Sequence, residues 1–149
     1  MRFWDSSALI PLVVQEGRSP LLEALAADDP DMMVWWASPI ECASAIHRLR
    51  REGVFTPTEA VQVLAGLGAV LDAANAVEPG DDVRARALRL LGIYPLRAAD
   101  ALQLAAALLW ARDHPAGKDF VCLDERLRAA AVIEGFQVLP VAPVPGSPR

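Results

Sequence analysis

Five short apolar runs, each separated from the next by residues patterned for helices, constrain this chain more than any other feature. They are Arg2-Phe3-Trp4-Asp5, Met32 to Ala37, Ala74 to Val77, Phe120 to Leu123, and Gln137 to Leu139. Helical patterns fill the intervals: Ser7 to about Gln15, Pro20 to about Ala27, Ser38 to Gly53, Thr56 to about Asp72, Asp81 to Leu91, about Arg97 to Arg112, and Asp124 to Ile133. Strands this short and apolar, alternating with amphipathic helices, call for an α/β fold whose mostly parallel central sheet is covered on both faces.

Local signals set the expected boundaries. Gly17 ends the first helix, and Ser19-Pro20 pairs an N-cap with a proline at the first helical position. Asp28-Asp29-Pro30-Asp31 and Glu78-Pro79-Gly80 read as turns, and Gly92-Ile93-Tyr94-Pro95 as a break. Ser38-Pro39-Ile40-Glu41 and Thr56-Pro57-Thr58-Glu59 carry the same capping-box pattern. No linker divides the 149 residues, so the chain reads as one domain over residues 1–140 with a proline-rich tail over 141–149.

A hydrophobic share of 54% excludes a disordered chain and hints at apolar surface kept for a partner. No apolar run is long enough to span a membrane, and Asp5 interrupts any signal-like start. Cys42 and Cys122 fall in a helix and a strand, as buried thiols of a reducing cytoplasm do, so a cytoplasmic location is expected. The net charge of -5 argues against binding nucleic acid by bulk electrostatics. Arginine nevertheless clusters at Arg48, Arg50 and Arg51, at Arg84, Arg86 and Arg89, and at Arg126 with Arg128, while Lys118 is the sole lysine. Guanidinium groups suit phosphate forks and carboxylate pairs, although solvated helix faces account for each cluster equally simply.

Four acids stand out by position. Asp5 ends the first strand, Glu41 opens a helix after the second, and Asp124 follows the fourth; Asp100 opens the long alanine-rich helix. In open parallel sheets ligands bind beyond the carboxyl ends of the strands, which places Asp5, Glu41 and Asp124 on one edge. Individually each has a simpler role. Asp5 and Asp124 suit N-caps, Glu41 suits a capping box, and Asp100 complements the helix dipole. Gathered together, four carboxylates repel one another unless a cation lies between them, and magnesium favours such oxygen ligands. Metal-assisted phosphodiester hydrolysis needs a site of this kind.

Other chemistries find less here. His47 is rotated away from Glu41 on its helix and His114 precedes a proline, so zinc lacks a ligand set. Ser6 and Ser7 have no histidine base, and no glycine-rich phosphate loop is present. Trp35-Trp36 suits either base stacking or the core. A phosphotransfer reading fails as well. A haloacid-dehalogenase pattern needs a second Asp where Ser7 stands, and a receiver needs a lysine at a late strand end, whereas Lys118 precedes its strand.

At these residues the chain resembles the PIN-domain ribonucleases, specifically the VapC-type toxins of type II toxin–antitoxin pairs. The resemblance is carried by Asp5-Ser6-Ser7-Ala8-Leu9, by Trp35-Trp36-Ala37-Ser38-Pro39-Ile40-Glu41, by Leu96-Arg97-Ala98-Ala99-Asp100-Ala101-Leu102-Gln103-Leu104, and by Val121-Cys122-Leu123-Asp124-Glu125-Arg126-Leu127 with Gly135-Phe136-Gln137-Val138-Leu139 after it. It implies a three-layer α/β/α fold over residues 1–140 and a Mg2+- or Mn2+-dependent endoribonuclease site. By that resemblance Asp5, Glu41, Asp100 and Asp124 hold the metal and its water, and Ser7 supports them through its hydroxyl; Arg97, by its place three residues before Asp100, is expected to contact substrate phosphate or to pair with an acid of the site. Cys122 departs from the Thr or Ser often found two residues before the last acid, implying weaker hydrogen bonding around Asp124. A homodimer, an RNA substrate and a cognate VapB-type antitoxin are further implications. The alternative is a catalytically silent PIN-fold binding protein.

Overall fold

The computed structural model describes residues 1–14 and 20–141. Five strands, β1 (Arg2–Trp4), β2 (Met32–Trp35), β3 (Asn75–Val77), β4 (Asp119–Val121) and β5 (Gln137–Leu139), form one sheet in the order β3-β2-β1-β4-β5. Every neighbouring pair is parallel, and Phe3 of the central strand lies opposite both Met33 and Phe120. The chain builds outward from β1 through β2 and β3, then returns to the other side of β1 for β4 and β5. That reversal makes the carboxyl ends of β1 and β4 a topological switch point, where such sheets leave a crevice.

Among the described residues seven α-helices cover the sheet: α1 (Ser6–Leu9), α2 (Pro20–Asp28), α3 (Ser38–Arg51), α4 (Pro57–Asp72), α5 (Asp81–Leu91), α6 (Ala98–Trp110) and α7 (Glu125–Glu134). Side chains alternate across a strand, so adjacent residues of β1 enter different cores. Phe3, with Trp35, Val77 and Phe120, packs against Val83 and Leu90 of α5, Leu104 of α6 and Leu127 of α7. Trp4, with Val34 and Val121, packs against Leu9, Leu22, Ile46 and Leu67 of α1 to α4. The result is the expected three-layer α/β/α arrangement, with a wholly parallel sheet. Phe120 anchors the first core, its ring stacked on Phe3 at 5.5 Å and tilted against Phe136 at 5.5 Å.

Several boundaries move from those expected. The first helix stops at Leu9 and passes into a 3-10 turn over Ile10–Leu12, because Pro11 has no N–H to continue the α-helical ladder. The expected end at Gln15 and Gly17 and the cap at Ser19 lie outside the described residues. β2 ends at Trp35, so Trp35 is buried in the core while Trp36 is exposed on the following turn. α6 ends at Trp110, and Arg112 and Asp113 reverse the chain with φ of 52° and 57°. α7 ends on Gly135 at φ 110°, where a Cβ would also meet the Pro115 ring at 3.1 Å. Among the described residues no helix is long and apolar enough to cross a membrane.

Candidate active site

The carboxylate that ends β1 is both a cap and a buried charge. Asp5 Oδ2 accepts from the Ser7 backbone N–H at 3.0 Å and from the Ser7 hydroxyl, which caps α1. Asp5 is only 4% exposed, and burial pushes its carboxyl above the usual range. The Ser7 bonds oppose that rise, and the charge of Asp100 reinforces it. Ser7 Oγ also accepts from Leu123 N at 2.9 Å, tying the start of α1 to the end of β4. The Cys122 thiol donates weakly to Asp5 Oδ2 and to the Asp124 carbonyl, both at 3.6 Å, and not to the Asp124 carboxylate.

Glu41 does something other than its local pattern calls for. The capping box expected from Ser38 to Glu41 does not form. Ala37 is the N-cap of α3 without a side-chain bond, and Ser38 is the first helical residue and wholly buried. Glu41 turns inward instead, its Oε2 accepting from Ser6 Oγ at 3.1 Å and from Gln103 Nε2 at 3.2 Å. Burial raises the Glu41 carboxyl to about 7; the Gln103 and Ser6 bonds oppose the rise, and the charges of Asp5 and Asp100 add to it.

Asp124 caps α7, its Oδ1 accepting from Leu127 N at 2.9 Å. Asp100 lies half-buried in the first turn of α6, where burial raises its carboxyl and the charge of Asp124 raises it further. A hydrogen bond from the Arg97 backbone pulls it back, as do the charges of the exposed Arg97 and Arg126 guanidinium groups. Arg97 is itself the N-cap residue of α6.

Each of the four acids thus comes within electrostatic reach of at least one other at the carboxyl edge of the sheet. Asp100 acts on Asp5 and Glu41, Asp5 on Glu41, and Asp124 on Asp100. Among the described residues, no group of three or more His, Cys, Asp or Glu side chains is gathered at metal-binding distance. The donor chemistry nevertheless fits a hard divalent cation. All four groups are oxygen donors, and magnesium takes one or two carboxylates directly while keeping several waters. On Asp5, Glu41 and Asp124 the protein's donors converge on a single oxygen, Oδ2, Oε2 and Oδ1 respectively. Among the described residues each group is therefore fixed through one oxygen, which leaves its second oxygen for a ligand.

Three residues that the sequence analysis did not assign to the site complete it: Ser6, Ser38 and Gln103, which share a buried hydrogen-bond network with Glu41. The available signal was Gln103 itself, a polar residue set among Leu102, Leu104 and three alanines, one turn beyond Asp100.

The sequence matches no protein-family model and no curated protein. The fold does match solved structures. One is PAE2754 from Pyrobaculum aerophilum, with 18% identity and a TM-score of 0.63 over 93% of this chain and 88% of that one. Another belongs to a toxin-antitoxin complex from Klebsiella pneumoniae, with 16% identity and a TM-score of 0.64 over 97% of this chain and all of that one. At such low identity the likeness is one of fold, and that fold is the three-layer α/β/α, PIN-like architecture.

Proposed function

We propose that this protein is a Mg2+- or Mn2+-dependent endoribonuclease acting as the toxin of a VapC-type toxin–antitoxin pair. The observation that carries this reading is the set of four carboxylates at the switch point of a parallel sheet, three of them anchored through one oxygen only. Asp5, Glu41, Asp100 and Asp124 are the residues that would hold the cation, which supplies Lewis acidity toward water and phosphate.

The protein's own groups then have distinct tasks. Asp5 is fixed by Ser7 at the start of α1, and Ser7 in turn accepts from Leu123 N, so the β1 and β4 edges are tied together. Glu41, its Oε2 held by Ser6 and Gln103, keeps Oε1, which neither of them engages, for the cation and its water. Arg97 and Arg126 stand exposed beside Asp100, where guanidinium groups bind and orient an RNA phosphate. Arg97→Ala is therefore expected to weaken RNA binding and spare metal binding; unchanged RNA binding would remove Arg97 from the interface.

The fold likeness to a component of a toxin-antitoxin complex supports an antitoxin partner. Exposed apolar side chains such as Val61 (67%), Leu88 (66%) and Ile133 (71%) supply surface for an antitoxin or a second copy in a homodimer. Two buried free thiols accord with a cytoplasmic setting. The alternative, a catalytically silent PIN-fold binding protein, is separated by one assay. Purified protein is incubated with total cellular RNA in Mg2+, Mn2+ or EDTA, beside Asp5→Asn. Discrete metal-dependent fragments lost in the variant are expected. Equal cleavage by the variant, or none in either metal, would leave the silent binding protein as the function.

A further inference from the structure

The centre of this site is held by a side chain with no solvent exposure and an incomplete set of hydrogen bonds. Gln103 is 0% exposed. Its Nε2 lies 2.8 Å from Ser6 Oγ, 3.1 Å from Ser38 Oγ and 3.2 Å from Glu41 Oε2. Two N–H groups thus serve three oxygens drawn from α1 and α3, while Gln103 Oε1, equally buried, has no partner among the described residues. A buried carbonyl oxygen left unpaired is unfavourable, and where one persists it calls for an explanation.

Turning the amide over would give Oε1 two hydroxyls, Ser6 and Ser38, that are able to donate. The same turn would set Oε1 against Glu41 Oε2, acceptor facing acceptor. The observed orientation therefore satisfies Glu41 at the expense of the amide's own carbonyl. A residue present only to fill space between α6 and the sheet has no need of this; a leucine, like its neighbours Leu102 and Leu104, would fill the position without an unpaired oxygen.

We infer that Gln103 is a positioning residue, which clamps Glu41 Oε2 directly and through Ser6 and so aims Glu41 Oε1 into the acidic edge. It touches neither substrate nor cation. The inference rests on the reading of that edge as a divalent-cation site, and it adds a role that Asp5, Glu41, Asp100 and Asp124 do not fill. Outer partners of this kind typically change metal affinity by about 10- to 100-fold when removed.

The test compares full-length wild type, Gln103→Met, Glu41→Gln and the double variant by calorimetric titration with Mn2+ in the absence of RNA. Methionine matches the length of glutamine without its donors. Gln103→Met is expected to bind Mn2+ about tenfold more weakly, with a thermal midpoint lowered by the buried hydrogen bonds it gives up. In the Glu41→Gln background the same change is expected to add nothing, because the two residues act as a unit. Wild-type affinity in Gln103→Met, or full additivity in the double variant, would overturn the inference. The Gln103 side-chain amide protons, followed by NMR in wild type and Glu41→Gln, decide the matter even if Gln103→Met does not fold. A large shift on changing Glu41 supports the clamp, and unmoved signals overturn it. Absence of Mn2+ binding in wild type would sink the nuclease reading, while the amide signals would still report whether Gln103 holds Glu41.

Discussion

Ser6 Oγ donates to Glu41 Oε2 across 3.1 Å, joining the first turn of α1 to the first turn of α3 side chain to side chain. Ser6 also accepts from Gln103, so it relays α6 to α3. Ser6→Ala removes both roles and leaves a buried amide N–H with one acceptor fewer. A loss of about 1–3 kcal/mol in stability is expected, read by urea denaturation, together with weaker Mn2+ binding. A variant as stable as wild type would show the network to be slack.

Asp5→Asn separates the two roles of that residue. Asparagine is as good an N-cap as aspartate, so the bonds that start α1 have a replacement acceptor. It also carries no charge to bury. The metal-free variant is expected to melt at or above the wild-type temperature at pH near 8, while metal-dependent RNA cleavage is lost. A sharply lowered melting temperature would mean that the carboxylate serves the fold first.

The raised carboxyls give the metal-free protein a definite pH dependence. Glu41 moves from 4.5 to about 7, and Asp5 and Asp100 shift in the same direction. The folded state holds these protons more firmly than the unfolded chain, so the stability they contribute is present below about 4.5 and is lost as pH climbs through about 7. Asp29, Asp113 and Glu134 shift downward, and their contribution is lost only as pH falls below the ordinary carboxylate range. In EDTA the melting temperature should therefore fall from about pH 5 to about pH 8. Mn2+ at 100 times its dissociation constant should restore about 2.7 kcal/mol at the higher pH. A flat profile in EDTA would contradict the burial of these acids.

Both thiols should be inert in the native protein. Cys42 and Cys122 are fully buried, and burial lifts the Cys42 thiol to about 12 and the Cys122 thiol well above its usual value. Iodoacetamide at mildly alkaline pH is expected to label neither until denaturant is added, as mass spectrometry would show. Rapid native labelling of Cys122 would mean that the edge beside Asp5 opens.

Phe120→Ala tests the core beneath the site. Its ring is wholly buried between Phe3 and Phe136. Truncation should cost about 3–5 kcal/mol by denaturant titration, a large share of the stability of a domain this size. A cost under about 1 kcal/mol would indicate that β1 and β4 repack around the gap.

The architecture was legible because it repeats a local rule. Phe3 and Trp4 enter opposite cores, as do Val34 and Trp35, and Phe120 and Val121. That alternation is written in consecutive residues. Asp5 and Asp124 were legible for a related reason, since each follows a strand whose end lies at the edge where such folds bind ligands. The end of the first helix was misread by several residues, although Pro11 marked it.

Two copies of one motif show where sequence alone stops. Thr56-Pro57-Thr58-Glu59 forms its capping box, with Thr56 Oγ1 accepting from Glu59 N at 3.1 Å and Glu59 Oε2 from Thr56 N at 2.7 Å. Ser38-Pro39-Ile40-Glu41 has the same residue types at the same spacing and forms none. Thr56 and Glu59 are exposed, so their nearest hydrogen-bond partners are each other. Ser38 and Glu41 face Gln103, and Glu41 faces Ser6, residues distant in sequence that offer buried and therefore stronger bonds. Sequence determined which residues are able to cap, to line a strand or to carry charge, because those properties belong to the residue and its neighbours in the chain. Only the tertiary structure decided which acid caps a helix and which turns inward, because a side chain's choice of partner depends on what folding brings beside it.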